Sequence, residues 1–491
     1  MIDLEPAWLG LILLGVFTFY AAKRGLRSTT GIHPYPPGPP MRPLIGNIME
    51  VGSRYAWLKL TGYKEQYGDL VYFQGLGKSV LVVNSLKAIL DLLEKRANNY
   101  SDRPVLIFGN DLIGMNRTFL FADYGEEWRA QRKLAHAALG PSAVKDYISM
   151  QENVSIELSR ELIKAPQDFY SLIRLAAGRT VITVTYGVRS ASAEQEFIIL
   201  AEEINRVCQK AAIPGAYLCD FVPWLKYAPS WVPFQRVATY GRRLLDDVLD
   251  KPFKYVQKEM DTGKAVPSLV QHLLSDPPEA VADFEEKVKR AAATIFACPQ
   301  IYSVVLAFIL AMAQYPEAQR SAQAEIDRVV GTDRPPRMED MPDLPYVNAV
   351  IKEAMRWRPT LPLGVPHRST EDDVYGGFFI PKSTVILANV WAVAFQPDEK
   401  YEPQAFLPER FLDPAHPTID PAIWAFGFGR RICPGRYLAE NSLFMFISTL
   451  LWAFDISPPA SGEIKVASKE YILRYDTALA PICLMLIPTN T

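Results

Sequence analysis

The chain has 491 residues, 49% hydrophobic and 22% charged, which is enough apolar sequence for a large buried core and excludes a disordered chain. Its 52 Lys and Arg nearly balance 54 Asp and Glu, and a net charge of -2 excludes a basic nucleic-acid binder and an acidic tail. Five scattered cysteines exclude a disulfide framework, and with no CxxC or HExxH spacing zinc has no evident site.

Ala7 to Ala22 is an uncharged, mostly apolar run of 16 residues, preceded by Asp3 and Glu5 and followed by Lys23, Arg24 and Arg27. As a helix it would reach about 24 Å, slightly short of a hydrocarbon core of about 30 Å. A cleaved signal peptide carries its positive charge before the apolar run. Here the charge follows it, which predicts an uncleaved signal anchor over 1–27 with the rest of the chain in the cytosol. His33 to Pro43 then packs six prolines into eleven residues. Such a run cannot propagate a helix and reads as a stiff hinge over 28–43.

The remaining 44–491 reads as one continuous body. Asp69–Phe73 and Ser79–Asn84 look like strands of a small sheet. Amphipathic helical stretches dominate from about Ser85 to Tyr315, where Pro316 ends the last. Beyond Arg358 the chain turns irregular and proline-rich, as long functional loops do. The class is therefore mainly α with a small β region (α+β). Between two helical stretches, Asp220–Phe234 interleaves Trp224, Trp231 and Phe234 with Lys226, a composition suited to a membrane interface.

The strongest local pattern is Phe426-Gly-Phe-Gly-Arg-Arg-Ile-Cys-Pro-Gly-Arg436. Its glycines and Pro-Gly hold Cys433 on a constrained turn ahead of an apolar helix. Arg430, Arg431 and Arg436, with the helix N-terminus, favour its thiolate, the ligand that a soft metal or haem iron wants. The segment resembles the cysteine-ligand loop of the cytochrome P-450 family, F-x-x-G-x-R-x-C-x-G, with Phe426, Gly429, Arg431, Cys433 and Gly435 matching. Glu353-Ala-Met-Arg356 is similar to the family's E-x-x-R, and Pro408-Glu-Arg-Phe411 to the segment whose arginine, here Arg410, completes a Glu-Arg-Arg network. Trp128-Arg-Ala-Gln-Arg132 resembles its W-x-x-x-R.

The resemblance covers essentially the whole chain and is most like fungal microsomal members of secondary metabolism. It implies the cytochrome P-450 fold behind an N-terminal transmembrane anchor, and haem b with Cys433 as the axial thiolate. It also implies haem-carboxylate partners in Trp128, Arg132, His367 and Arg431, with Phe426 and Gly435 shaping the cofactor loop. The locking network would be Glu353, Arg356 and Arg410. Electrons would come from an NADPH-dependent flavoprotein reductase, with cytochrome b5 as an auxiliary donor. Arg129, Lys133, Arg430 and Arg436 would form the basic docking face. The implied location is the endoplasmic reticulum membrane, single-pass, and the implied substrate a lipophile such as a terpenoid, meroterpenoid or polyketide.

One stretch departs from the family. Where members carry A/G-G-x-D/E-T-T, this chain reads Ala297-Cys-Pro-Gln-Ile-Tyr-Ser303, so Gln300 replaces the acid and Ile301 the first threonine. Gln300, Tyr302 and Ser303 are the remaining polar candidates for catalysis. Without the usual relay, the expected chemistry includes ring formation, coupling or desaturation beside hydroxylation. The alternative is a haem-binding pseudoenzyme or sensor without oxygen activation.

Overall fold

The structure, a computed structural model, describes residues 33–458 apart from 44, 53–54, 214, 278–282 and 298–300, together with the strand at 485–488. The apolar run Ala7–Ala22 and residues Cys298, Pro299 and Gln300 lie outside the described residues.

The two valine-rich stretches pair as an antiparallel hairpin, β1 (Leu70–Gly75) and β2 (Lys78–Val83), turning at Leu76-Gly77 with both residues at positive φ. Positive φ at both turn positions matches the strands' right-handed twist, which keeps the hairpin short. The later strands are β3 (His367–Arg368), β4 (Asp373–Tyr375), β5 (Phe378–Ile380), β6 (Val385–Ala388), β7 (Phe454–Ser457) and β8 (Met485–Pro488). β6 lies parallel to β2, and β3 antiparallel to β6, giving the order β1-β2-β6-β3. The proline-rich stretch therefore contributes half of the largest sheet, which its irregular sequence does not show.

Helices form the rest of the body: α1 (Ala56–Tyr67), α2 (Glu126–Leu139), α3 (Ile148–Lys164), α4 (Phe169–Tyr186), α5 (Ala191–Ala211), α6 (Pro233–Asp261), α7 (Phe284–Phe296), α8 (Ile301–Gln314), α9 (Pro316–Val329), α10 (Pro345–Trp357) and α11 (Arg436–Ala453). The stretch Phe284–Gln314 is long and apolar enough to cross a membrane by composition. Its position gives it another role: Val305, Phe308, Ile309 and Met312 of α8 are buried in one core with residues of α3, α4, α9, α10 and α11. A helix apolar on all sides is a core helix wherever other helices surround it.

The loop between α5 and α6 exposes Trp224, Tyr227 and Trp231, 71%, 79% and 68% accessible, whereas Phe234 is half-buried against the core. The loop is tied down beneath by Asp220, a buried carboxylate whose Oδ1 accepts the Phe108 N–H at 3.0 Å. Burial raises the Asp220 pKa, against the Phe108 N–H bond and the charge of Lys78. Between the unfolded carboxylate value near 3.9 and this raised value the folded state binds more protons, so this group's contribution to stability falls as pH rises. Asp220→Asn keeps the acceptor and removes that slope. The variant should be the more stable at neutral pH, with the gap closing on acidification, read from denaturation midpoints across pH.

Candidate active site

A cavity of about 270 Å³ opens among α2, α7, α8, α11, β3 and the loop before α11. The loop is shaped by its glycines: Gly427 and Gly429 adopt φ of 80° and 54°, and a Cβ at Gly429 would collide with the Leu93 carbonyl oxygen. Any L side chain there strains the backbone and displaces that contact. The Cys433 N–H donates to the Phe426 carbonyl at 2.7 Å, closing the loop. Phe426, Cys433 and Gly435 all line the cavity.

Cys433 is exposed to that cavity although it lies deep in the protein, and the electrostatics differ from the sequence-based expectation. Burial raises the thiol's pKa, opposed by the Gly435 N–H and by Arg132. Arg430 bonds Asn98 and lies over the Tyr124 ring, and Arg436 bonds Glu440 at 2.8 Å. Of the cations adjacent in sequence, two are thus engaged elsewhere. Deprotonation here calls for a metal on the sulfur, since a bound ion outweighs the local field.

Cations cluster on another part of the wall. Arg431 donates to the carbonyls of Ser101, Phe119 and Ala122 at 2.7, 3.0 and 2.7 Å, with its plane over Trp128. Burial lowers its pKa to about 10. His367 is buried and holds the Tyr100 carbonyl through Nδ1 at 2.8 Å; burial, then the charge of Arg103, push its pKa well down. Arg132 has no hydrogen bond among the described residues, and burial lowers its pKa too. A residue that motif spacing does not reveal joins them. Arg103 is buried, donates to the carbonyls of Leu120, Val365 and Pro366, and lines the same cavity. Its only sequence signal was an arginine in an apolar stretch.

None of Arg103, Arg132 and Arg431 has a carboxylate within ion-pair distance among the described residues. Trp128 adds a buried indole N–H without a partner. Buried cations and donors are normally paired, so this rim calls for anionic acceptors. The rest of the wall is apolar, including Leu139, Val181, Ile301, Val304, Leu438 and Leu443. A flat apolar group with two carboxylates and a thiolate-binding metal fits this arrangement, which is haem. Trp128, Arg132, Arg103, His367 and Arg431 would hold the carboxylates and Cys433 the iron. Arg132→Leu should therefore modestly stabilise the apoprotein, by removing a half-buried charge without a partner, yet weaken haem retention roughly tenfold or more for one lost charged hydrogen bond. Apoprotein denaturation and haem transfer to apomyoglobin measure the two arms.

The locking residues also meet. Glu353, fully buried, receives Arg356 through two bonds of 2.7 and 2.8 Å, Arg410 at 3.1 Å and the Leu407 N–H at 2.8 Å. Tyr302 and Ser303 are not among the cavity-lining residues. Tyr302 packs against the core and lies near Arg174, while the Ser303 hydroxyl pairs with that of Thr360 at 3.0 Å, and Thr360 does line the cavity. Of the polar candidates on α8, Tyr302 and Ser303 therefore lie off the wall that Ile301 and Val304 occupy, as the phase of the helix requires. Gln300 lies outside the described residues.

A second cavity of about 250 Å³ adjoins the first, sharing Leu120, Thr294, Leu361, Gly364 and Val365. Among the described residues its wall carries no charged side chain.

The family model for cytochrome P-450 matches residues 36–477. Among curated proteins, the chain is 41% identical over 437 residues to cytochrome P-450 monooxygenase COX2 of Coprinopsis cinerea, covering 87% of this chain and 83% of that protein. It is 38% identical to COX1 of the same fungus, covering 92% and 90%, and 36% identical to monooxygenase claR of Ampulloclitocybe clavipes, covering 91% and 84%.

Proposed function

The chain belongs to the cytochrome P-450 family of haem-dependent monooxygenases, and on that premise we propose that it oxidises a neutral lipophile of fungal secondary metabolism with Cys433 as the iron ligand. The observation that carries this is one apolar cavity bearing both a cavity-facing thiol and a rim of arginines with no carboxylate in ion-pair contact among the described residues. Bound haem with its cysteine thiolate supplies dioxygen activation. The chain's own residues grip the haem carboxylates, keep water from an apolar pocket and admit substrate through the second cavity.

With Tyr302 and Ser303 off the cavity wall, α8 brings no acid or hydroxyl to it, and the hydroxyl residues there are Thr294, whose hydroxyl donates to the Arg290 carbonyl, and Thr360, which pairs with Ser303. This favours ring formation, coupling or desaturation, or hydroxylation in which a substrate hydroxyl moves the proton. The sensor alternative is not favoured, because the relatives above are named as monooxygenases. Electrons come from a reductase, as the family requires. Arg129 and Arg430 both lie over the Tyr124 ring, at 5.5 and 4.8 Å, and together with Lys133 they would form its docking face. Exposed Trp224, Tyr227 and Trp231 would meet the lipid surface of the endoplasmic reticulum, behind the anchor at 1–27 and the hinge at 28–43.

The test is reconstitution with NADPH and a flavoprotein reductase under labelled dioxygen, against neutral terpenoids and polyketides. Product without label supports coupling or desaturation. Labelled product that depends on Tyr302 or Ser303, in variants that retain haem, refutes the missing relay. Absence of a thiolate-type ferrous–CO spectrum in the wild type refutes the reading as a whole.

A further inference from the structure

The wall of the second cavity is not uniformly apolar. Asn205 and Gln209, one turn apart on α5, both face the cavity, and neither carboxamide has a hydrogen-bond partner among the described residues. The two threonine hydroxyls there are occupied, whereas the Trp57 indole N–H is a third group on this wall without a partner among the described residues. The Thr118 hydroxyl donates to the Met115 carbonyl at 2.7 Å, and the Thr294 hydroxyl to the Arg290 carbonyl at 2.7 Å. Across the cavity, Leu361, Pro362, Leu363, Val365 and Pro366 form an apolar face, and the carbonyls of Val365 and Pro366 already accept from Arg103.

Two half-buried amides that face an apolar chamber without partners are poorly satisfied by the protein alone. Residues four apart on a helix lie on one face, so both can reach a single ligand atom or two neighbouring ones. A carboxamide both donates and accepts, and so does an alcohol, whereas a ketone accepts from both NH2 groups. No charged side chain lines this wall among the described residues, which argues for a neutral ligand over a carboxylate or ammonium, because a buried charge needs a counter-charge.

We propose that Asn205 and Gln209 are specificity-determining residues that hold a neutral oxygen function, an alcohol or a ketone, already present on the substrate. This deepens the reading of the site above and rests on it. The reactive carbon then lies at the far end of the molecule, past Thr294, which lines both cavities. The chain acts on a lipophile that an earlier oxygenation or carbonyl-forming reaction has functionalised, and not on the parent hydrocarbon. A site built to bond a substrate oxygen rejects the analogue lacking it, because its own polar groups are then left unpaired.

The test is a spectral binding titration of the reconstituted holoenzyme with carbon-matched terpenoid sets, each comprising a hydrocarbon, its alcohol and its ketone. In the wild type, at least one oxygenated member should bind about tenfold or more tighter than its parent hydrocarbon, the scale of one or two hydrogen bonds. In Asn205→Leu/Gln209→Leu that preference should fall to about unity, with the hydrocarbons bound more tightly than in wild type because no carboxamide is then left unpaired against them. Hydrocarbons that match or outbind every oxygenated partner in the wild type overturn the proposal without recourse to a variant. So does a preference that survives in the double variant. A normal thiolate-type ferrous–CO spectrum in both proteins shows that the cofactor reading stands whichever way the binding result falls.

Discussion

Cys433→Ala is expected to abolish the thiolate-type ferrous–CO band and to reduce NADPH-supported oxidation to background, while leaving the fold nearly intact. The side chain meets the cavity and little else: its neighbours in the loop are held through the main chain, by the Cys433 N–H on the Phe426 carbonyl and by Arg431 on three carbonyls. Removing the sulfur from such a position costs about 1 kcal/mol or less in the apoprotein. The loss in function is total because no other described cysteine can substitute. Cys219 is buried away from the cofactor cavity, and burial pushes its thiol up to about 11. Cys208 lines only the second cavity. A red-shifted thiolate band that survives in Cys433→Ala would place the iron elsewhere and defeat the assignment. A variant that binds haem with an imidazole-type spectrum would be consistent with it, since five histidines are present to be recruited and His367 already lines the pocket.

What could be read from the sequence follows from how local each feature is. The cysteine loop is a run of backbone conformations encoded by its own glycines, and the Glu353–Arg356 pair is one helical turn. Both could therefore be read in place. Arg103 could not, because its role depends on a stretch folding over a cavity whose other walls come from the far end of the chain. The same holds for β3 and β6, which complete a sheet begun by β1 and β2. The pKa of Cys433 went the other way for a related reason: sequence placed three arginines nearby, but side-chain direction sent Arg430 to Asn98 and Arg436 to Glu440. Tyr302 and Ser303 show the limit of motif alignment. Motif alignment identifies them as polar residues beside the positions that Gln300 and Ile301 take over from the family's acid and first threonine, but only the phase of α8 decides that Ile301 faces the cavity and they do not.

Glu353→Ala is expected to destabilise the body strongly. The carboxylate is 0% exposed and answers two guanidiniums and one main-chain N–H. Its removal leaves Arg356 and Arg410 charged and buried without a carboxylate: Arg356 keeps the carbonyls of Ala394, Pro403 and Ala405 and the Phe395 ring, and Arg410 the carbonyls of Glu402 and Ala405 and the Tyr401 ring. Breaking a buried pair from one side costs about 3–5 kcal/mol, because the surviving charge is uncompensated. Arg410→Leu should cost less than Arg356→Leu, since Arg410 makes one bond of 3.1 Å to Glu353 where Arg356 makes two shorter ones. The double variant Glu353→Ala/Arg410→Leu should cost less than the sum of its parts, because the second change removes a charge that the first had orphaned. Strict additivity in urea denaturation would show that the three residues do not act as a network. The effect should also reach the cofactor. Every carbonyl that Arg356 holds lies between residues 394 and 405 of the irregular stretch leading to the cysteine loop. Loosening that stretch from α10 removes the support on which the Phe426–Gly435 turn is built. Holoenzyme yield, read from the ferrous–CO band, should therefore fall in step with stability across the series, even though none of the three side chains lines the haem cavity.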